Sequence, residues 1–298
     1  MSDNGYAVVS QRLTKCFGRK VALDCVDIHV PVGSIYGLVG PNGAGKTTLI
    51  RCLLDLLRPT RGSLTVFGCD ASRGPTVRRR IGHVAALQPM WEWMRVRELA
   101  KFMSGCYPRW NADAVSRLLD RTGIDRGARI ETLSRGQRTL AALAVQIGHD
   151  PDLLILDEAL TGLDPLARRE ILRSVIEMMH GQRRTVLIAG QDLSDMERIC
   201  DHVGILVEGR LVVEAPLEAL RLRTKRLRVS HAPDTQLSTP AGATSVERGL
   251  RETRFVLGDG ADDVLHELRA QGLQTDADDL SLEEIVVCLA QSAPAGVG

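Results

Sequence analysis

The sequence predicts an α/β fold, a mostly parallel sheet with helices on both faces. Three observations carry that expectation. Between residues 153 and 207, apolar runs alternate with helical stretches: 153–157, 165–180, 185–189, 193–200 and 203–207. Such alternation indicates parallel strands joined by crossover helices. Runs such as LLILD and VLIA are apolar at every position, as strands covered on both faces require. Finally, a glycine-rich loop stands between an apolar run and a helical one.

The elements follow in order. Residues 7–10, 21–30 and 34–39 read as strands, with Pro31-Val32-Gly33 as the turn between the last two. Residues 47–57 read as a helix, because Leu49, Ile50, Leu53, Leu54 and Leu57 form one stripe; Pro59 and Gly62 end it. Residues 95–124 are expected to be helical in two pieces broken near Pro108, and 137–148 form an Ala- and Leu-rich helix. The alternating region comes next. Composition then changes: 221–228 is basic and 231–245 is loop-like. A strand at 254–257 and helices at 261–271 and 281–289 complete a small α/β appendage, 222–298.

Bulk properties exclude several classes. The chain has 298 residues, 44% hydrophobic and 25% charged, as in ordinary globular proteins. Lys and Arg total 38 against 37 acids, so no net field favours nucleic acid. No apolar run approaches the roughly 18–20 residues of a membrane span, and the N-terminus lacks a signal peptide's pattern. A cytoplasmic protein is expected, and any work on a membrane needs another polypeptide. Seven cysteines show no close pairing and read mainly as small core residues in a reducing compartment. Neither they nor the seven histidines have metal-ligand spacing.

The glycine-rich loop is GPNGAGKT, Gly40 to Thr47. It fits the G-x-x-x-x-G-K-[ST] pattern in its confirming context, after a strand and opening a helix, and so predicts a P-loop NTPase core. Gly40, Gly43 and Gly45 let the backbone curl so that its N–H groups face phosphate oxygens. The helix contributes its positive end. Lys46 supplies a mobile charge to the outer phosphates, and Thr47 a hydroxyl to Mg²⁺. In LLILDEAL, 153–160, an apolar strand ends in two carboxylates. Asp157 suits Mg²⁺; Glu158 suits a general base activating water, a role worth roughly 10²–10⁴-fold. In LSRGQ, 133–137, Ser134 caps a helix whose dipole favours an anion.

Taken in this order, GPNGAGKTT, LSRGQ and LILDEALTGLD resemble the motifs of the ATP-binding cassette ATPases, the nucleotide-binding subunits of ABC transporters. The resemblance spans 6–220. It implies an antiparallel β subdomain and a helical subdomain at about 88–148 within an ATP-binding domain at 1–221. It also implies a homodimer or heterodimer of cassettes, ATP lying between the P-loop of one and the LSGGQ-like segment of the other. By that resemblance Gly40, Pro41, Asn42, Gly43, Ala44, Gly45, Lys46, Thr47 and Thr48 bind nucleotide, and Phe17 stacks on adenine. Ser134, Arg135, Gly136 and Gln137 meet the ATP of the partner, and Asp164 matches the loop that crosses the dimer interface. The ending SLEEIVVCL, 281–289, resembles that of cassettes serving bacterial exporters with a separate permease. Drug, antibiotic-resistance and bacteriocin-immunity systems are among these.

The sequence also departs from the family. Gln191 stands where a γ-phosphate-contacting His is usual, and an amide donates to a phosphate oxygen but cannot become cationic. Ala86 stands where the family has a metal-contacting Gln, with Gln88 two places on; a local bulge would bring Gln88 to Mg²⁺. Ala159 replaces a Pro. These changes predict slow hydrolysis or one member of an asymmetric pair. Rival readings are a non-catalytic regulatory subunit and a soluble cassette ATPase of translation or DNA repair. Lys46 and Ser134 lie 88 positions apart without sustained heptads, and there is one cassette, which argues against the second rival. By the resemblance, the stretch holding Trp91 and Trp93, beside Pro89, lies where a permease's cytoplasmic helix docks, and Trp and Met are enriched at interface cores. The chain would then lie peripherally on the cytoplasmic face of the membrane.

Overall fold

The structure, a computed structural model, describes residues 5–86, 90–179, 184–233, 235, 237–258 and 260–292. It opens with the hairpin of β1 (Tyr6–Phe17) and β2 (Lys20–Val26), then β3 (His29–Pro31) and β4 (Ile35–Val39). The glycine loop leads into α1 (Lys46–Leu53), followed by β5 (Arg61–Val66), β6 (Cys69–Asp70) and the short α2 (Pro75–Arg78). After β7 (Ile81–Ala85) comes a helical region, α3 (Val96–Cys106), α4 (Ala112–Arg121) and α5 (Arg135–Gly148). Then β8 (Leu153–Asp157), α6 (Pro165–Met179), β9 (Thr185–Gly190), α7 (Leu193–Ile199) and β10 (His202–Val207) alternate. The chain continues through β11 (Arg210–Pro216), α8 (Leu217–Arg223), β12 (Lys225–Ser230), β13 (Ala243–Arg248) and β14 (Glu252–Leu257). It ends with α9 (Ala261–Ala270), β15 (Gln274–Asp279) and α10 (Leu282–Ser292).

The central sheet has the order β11-β10-β4-β9-β8-β7 and is parallel except for β11. Every residue of β4, β8 and β9 is buried, which explains their unbroken apolar sequences. Alternate side chains serve different cores. Leu153, Ile155 and Leu187 pack with Leu49, Ile50 and Leu53 of α1 and with Leu64 of the antiparallel sheet. Leu154, Leu156, Val186 and Ile188 pack with Leu118, Leu143 and Ile171 from α4, α5 and α6. Each such fully buried side chain stabilises by about 1.5–3 kcal/mol. The strand ends are therefore held rigidly, and the loops beyond β4, β8 and β9 gather at one edge.

The antiparallel sheet runs β2-β1-β5-β6, with β3 also on β1. The expected strand at 21–30 is interrupted. Buried Ser10 Oγ donates to Val26 O at 2.7 Å and accepts the Ile28 N–H at 2.9 Å, so a side chain takes ladder bonds where the chain turns. The helix expected to reach residue 57 stops at Leu53, because Asp55 adopts φ 53° and breaks the turn. Leu57 still reaches the core, while Leu56 is exposed.

The third sheet is antiparallel, in the order β13-β14-β12-β15. The basic run at 221–228 contributes four of the six residues of β12. Leu227 and Val229 point into a core with Phe255 and Leu257, while Arg226 and Arg228 pair with Glu284 and Asp278. The segment read as loop to residue 245 already becomes β13 at Ala243. α10 packs against α7, β11 and β13, and its Leu282, Ile285 and Val286 join the core that holds Met196 and Val203. No disulfide joins the seven cysteines; Cys52, Cys200 and Cys288 are buried, but Cys25 and Cys106 are exposed rather than core residues.

Candidate functional site

The glycine loop is shaped by close backbone approaches. A Cβ at Gly40 would stand 2.1 Å from Leu206 O. At Gly45, where φ is 108°, it would stand 2.6 Å from Ala22 O, so no larger residue fits either position. The loop delivers Lys46 as the first residue of α1, only 4% exposed. Its ammonium donates to Gly40 O at 2.7 Å and Pro41 O at 3.2 Å and stands 3.3 Å from Glu158 Oε1. Thr47 Oγ1 donates to Asp157 Oδ1 at 3.2 Å. Burial pushes the Asp157 carboxyl above its ordinary range, as does Glu158 beside it, while the Thr47 hydroxyl acts the other way. A cation at Asp157 would offset that burial.

Glu158 sits one residue past β8 with φ 55°, a left-handed conformation held by its N–H donating to Ala189 O at 2.8 Å. Strain of this kind concentrates at functional sites. The bend turns the carboxylate toward the loop, and Thr161 Oγ1 donates to its Oε2 at 2.9 Å. Phe17, Lys20, Ala22, Asn42 to Thr48 and Glu158 line one cavity of about 460 Å³. Phe17 is 48% exposed, its ring face under the Lys15 ammonium at 5.2 Å. The structure thus brings the expected P-loop, aromatic and strand-end residues together. Lys20, Ala22 and Thr161 escaped the sequence reading. Lys20 reaches the cavity only because β2 folds back on β1, pairing Phe17 with Lys20.

Gln191 follows β9 directly and is exposed. A Cβ on Gly190 would lie 4.0 Å from Glu158 Oε2, so the Gln191 loop starts beside the same carboxylate. Ala86 donates its N–H to Asp157 O at 2.9 Å, so its backbone runs beside that residue and its side chain offers no metal ligand. Gln88 lies outside the described residues.

The LSRGQ segment is not part of the cavity lining. Ser134 Oγ accepts the Gln137 N–H at 3.2 Å and Gln137 Oε1 accepts the Ser134 N–H at 3.0 Å, a reciprocal cap on α5. Gly136 is tightly packed: a Cβ there would meet Ala167 at 2.9 Å and Asp164 Oδ2 at 3.0 Å. Arg135 is exposed, its guanidinium lying over Gly162. Asp164 Oδ1 accepts the N–H groups of Leu166 and Ala167, capping α6. Trp91 and Trp93 are 45% and 63% exposed, and Trp91 meets exposed Phe102 edge-on at 5.0 Å. Trp110 instead packs inward, against Gly148.

Comparison with known proteins agrees with this geometry. The family model for ABC transporters matches residues 23–161. The bacitracin transport ATP-binding protein BcrA of Bacillus licheniformis is 33% identical over 217 residues, covering 72% of this chain and 71% of that protein. The chain belongs to the ABC transporter ATP-binding family. The daunorubicin/doxorubicin resistance ATP-binding protein DrrA of Streptomyces peucetius is 35% identical over 222 residues, 72% of this chain and 67% of that one. The sulfate/thiosulfate import ATP-binding protein CysA of Mycobacterium tuberculosis is 32% identical over 284 residues, 85% and 81%. A solved ATP-binding subunit of an ABC transporter superposes with a TM-score of 0.67 at 26% identity, covering 72% of this chain and 92% of that one. As an ABC ATPase the chain binds and hydrolyses ATP. Among the described residues no helix is long and apolar enough to cross a membrane.

Proposed function

We propose that this subunit powers a separate membrane permease, exporting an antibiotic-, peptide- or drug-like compound from the cytoplasmic face. The observation that carries the catalytic part is the convergence of Lys46, Thr47 and Glu158 on the cavity headed by Phe17, with Asp157 bonded to Thr47 behind it. Adenine stacks on Phe17; Gly40 to Thr48 cradle the phosphates. Glu158, kept within reach by its bent backbone and Thr161, takes a proton from the attacking water. Gln191 hydrogen-bonds the phosphate being attacked without adding charge, which makes the step slow.

A divalent cation suits the donors at hand. Thr47 and Asp157 offer a hydroxyl and a carboxylate oxygen 3.2 Å apart, and burial disfavours the charged form of that carboxylate more than its neighbours favour it. Mg²⁺ takes few protein ligands and completes its shell with phosphate and water, so no cluster of acids is needed. When bound it neutralises developing charge on the phosphates.

Ser134 to Gln137 and Asp164 present a capped helix start on a surface away from the cavity. In this reading they close over the ATP of a second cassette, and two ATPs favour the closed pair. The exposed Trp91 and Trp93 contact the permease. Residues 1–221 form the ATP-binding domain and 222–298 an accessory domain.

The test compares ATP turnover of wild type and Glu158→Gln in the full-length chain. Turnover should fall by about 10²-fold or more while ATP affinity stays within about twofold. Equal rates would remove Glu158 from the role of base and favour a regulatory subunit.

A further inference from the structure

Arg168 lies in the first turn of α6, its N–H bonded to the carbonyl of Asp164 at 3.1 Å. Its guanidinium Nη1 is 2.6 Å from Asp192 Oδ2 and 3.2 Å from Asp195 Oδ2. Both acids belong to the segment that begins at Gln191. Asp192 follows that residue directly, and Asp195 sits in the first turn of α7. Asp192 occupies the N-cap position of α7, yet its side chain caps no backbone N–H there. It is turned toward Arg168 instead and steadied by the Ser194 hydroxyl at 3.0 Å. Asp195 is only 7% exposed, and buried carboxylates are rarely tolerated without a cation. A Cβ at Gly190 would also stand 3.0 Å from Met196 Cε and 4.0 Å from Glu158 Oε2. The start of α7, the Gln191 loop and the acid at 158 therefore share one crowded corner.

We propose that Arg168 is a positioning residue for hydrolysis. From the helix begun at Asp164 it grips the Gln191 loop through Asp192 and Asp195, and so aims the amide at the attacked phosphate. This rests on the reading of Gln191 as a phosphate contact. The physical case is one of compensation. A neutral amide has no long-range pull toward phosphate, so its aim depends on the backbone that bears it. β9 fixes that backbone before Gln191, and the Arg168 ion pairs fix it after. A shift of Asp164 at the start of α6 is then carried to Gln191 through a single side chain.

A double-mutant cycle in the full-length chain tests this, reading kcat, KM for ATP and Tm. Arg168→Gln strands a buried carboxylate and is prone to unfold, so Asp192→Asn is the main probe and Arg168→Lys the conservative one. Asp192→Asn should lower kcat about tenfold with KM within about twofold, a modest loss of aim. Arg168→Lys should retain most of the rate. On a Gln191→Ala background, Asp192→Asn should lower kcat no further. Equal losses on both backgrounds, or no loss on either, would overturn the proposal. So would a Gln191→Ala chain as fast as wild type. Full turnover in Glu158→Gln marks the separate failure of the catalytic reading beneath it.

Discussion

In the proposed mechanism Gln191 sets a rate without deciding binding. Lys46 and the backbone donors of the P-loop remain intact, and Glu158 is held near the cavity by Thr161 and by the 2.8 Å bond to Ala189. What an imidazole could add is a charge-assisted bond to the phosphate, about twice as strong as an amide's. Gln191→His should therefore raise kcat about fivefold, roughly 1 kcal/mol at the transition state, with KM nearly constant. Steady-state ATP turnover checks this; an unchanged kcat would mean that another step limits the rate. Gly45 makes the opposite case. Its φ of 108° and the Ala22 carbonyl 2.6 Å from a would-be Cβ leave no room for a methyl group. Gly45→Ala should abolish ATP binding, measured by calorimetry, while the far-UV spectrum stays near wild type.

At the scale of elements, the end of α5 carries a pH-dependent term. His149 stacks on Tyr107 with ring centroids 4.1 Å apart, and its Nε2 lies 3.2 Å from Gln146 Oε1, which accepts its proton. Nδ1 is buried without a hydrogen-bond partner among the described residues. Burial accordingly pushes the ring's pKa down to about 4. The unfolded chain thus protonates first. The stability contributed by neutral His149 is complete above the ordinary value of 6.5 and is lost as pH falls toward 4. Burial lowers His83 as well, so it adds to the same trend. His149→Phe should flatten the fall in unfolding free energy between pH 6.5 and 4.5 by about 1 kcal/mol per pH unit, read by urea titration. An unchanged slope would mean that other groups dominate acid unfolding.

Elements of this kind were unevenly legible in the sequence. β8 was readable to the residue, because burial on both faces leaves five consecutive apolar or motif positions, Leu153–Asp157. β15 was not: in QTDADD only Thr275 is buried, so no alternating pattern existed to read. β12 hid behind its arginines, whose acidic partners Asp278 and Glu284 lie far along the chain. The candidate site divides in the same way. Residues whose spacing is fixed by phosphate geometry announced themselves, from Gly40 to Thr47. Lys20, Thr161 and Arg168 did not, since each acts through tertiary contacts that no local spacing encodes.

For the whole molecule, the question is whether the third sheet rides passively on the rest. Its own core, around Phe255, Leu257 and Leu227, is separate from the other two. α10, however, packs on β13 of that sheet and also inserts Leu282 and Ile285, both 0% exposed, beside Met196 and Val203. It packs on α7, the helix whose first turn follows Gln191. Ile285→Ala removes buried methyl groups at that joint and should cost about 2–4 kcal/mol. All three tryptophans, at 91, 93 and 110, lie in or beside the helical region, remote in sequence from residue 285. Their fluorescence therefore reports the cassette rather than the tail. If α10 makes one cooperative unit of the two, Ile285→Ala shifts the fluorescence transition to lower denaturant together with the circular-dichroism transition. A fluorescence midpoint that stays at the wild-type value, with an earlier partial loss of ellipticity, would mean that the tail unfolds alone and exerts no hold on the loop bearing Gln191.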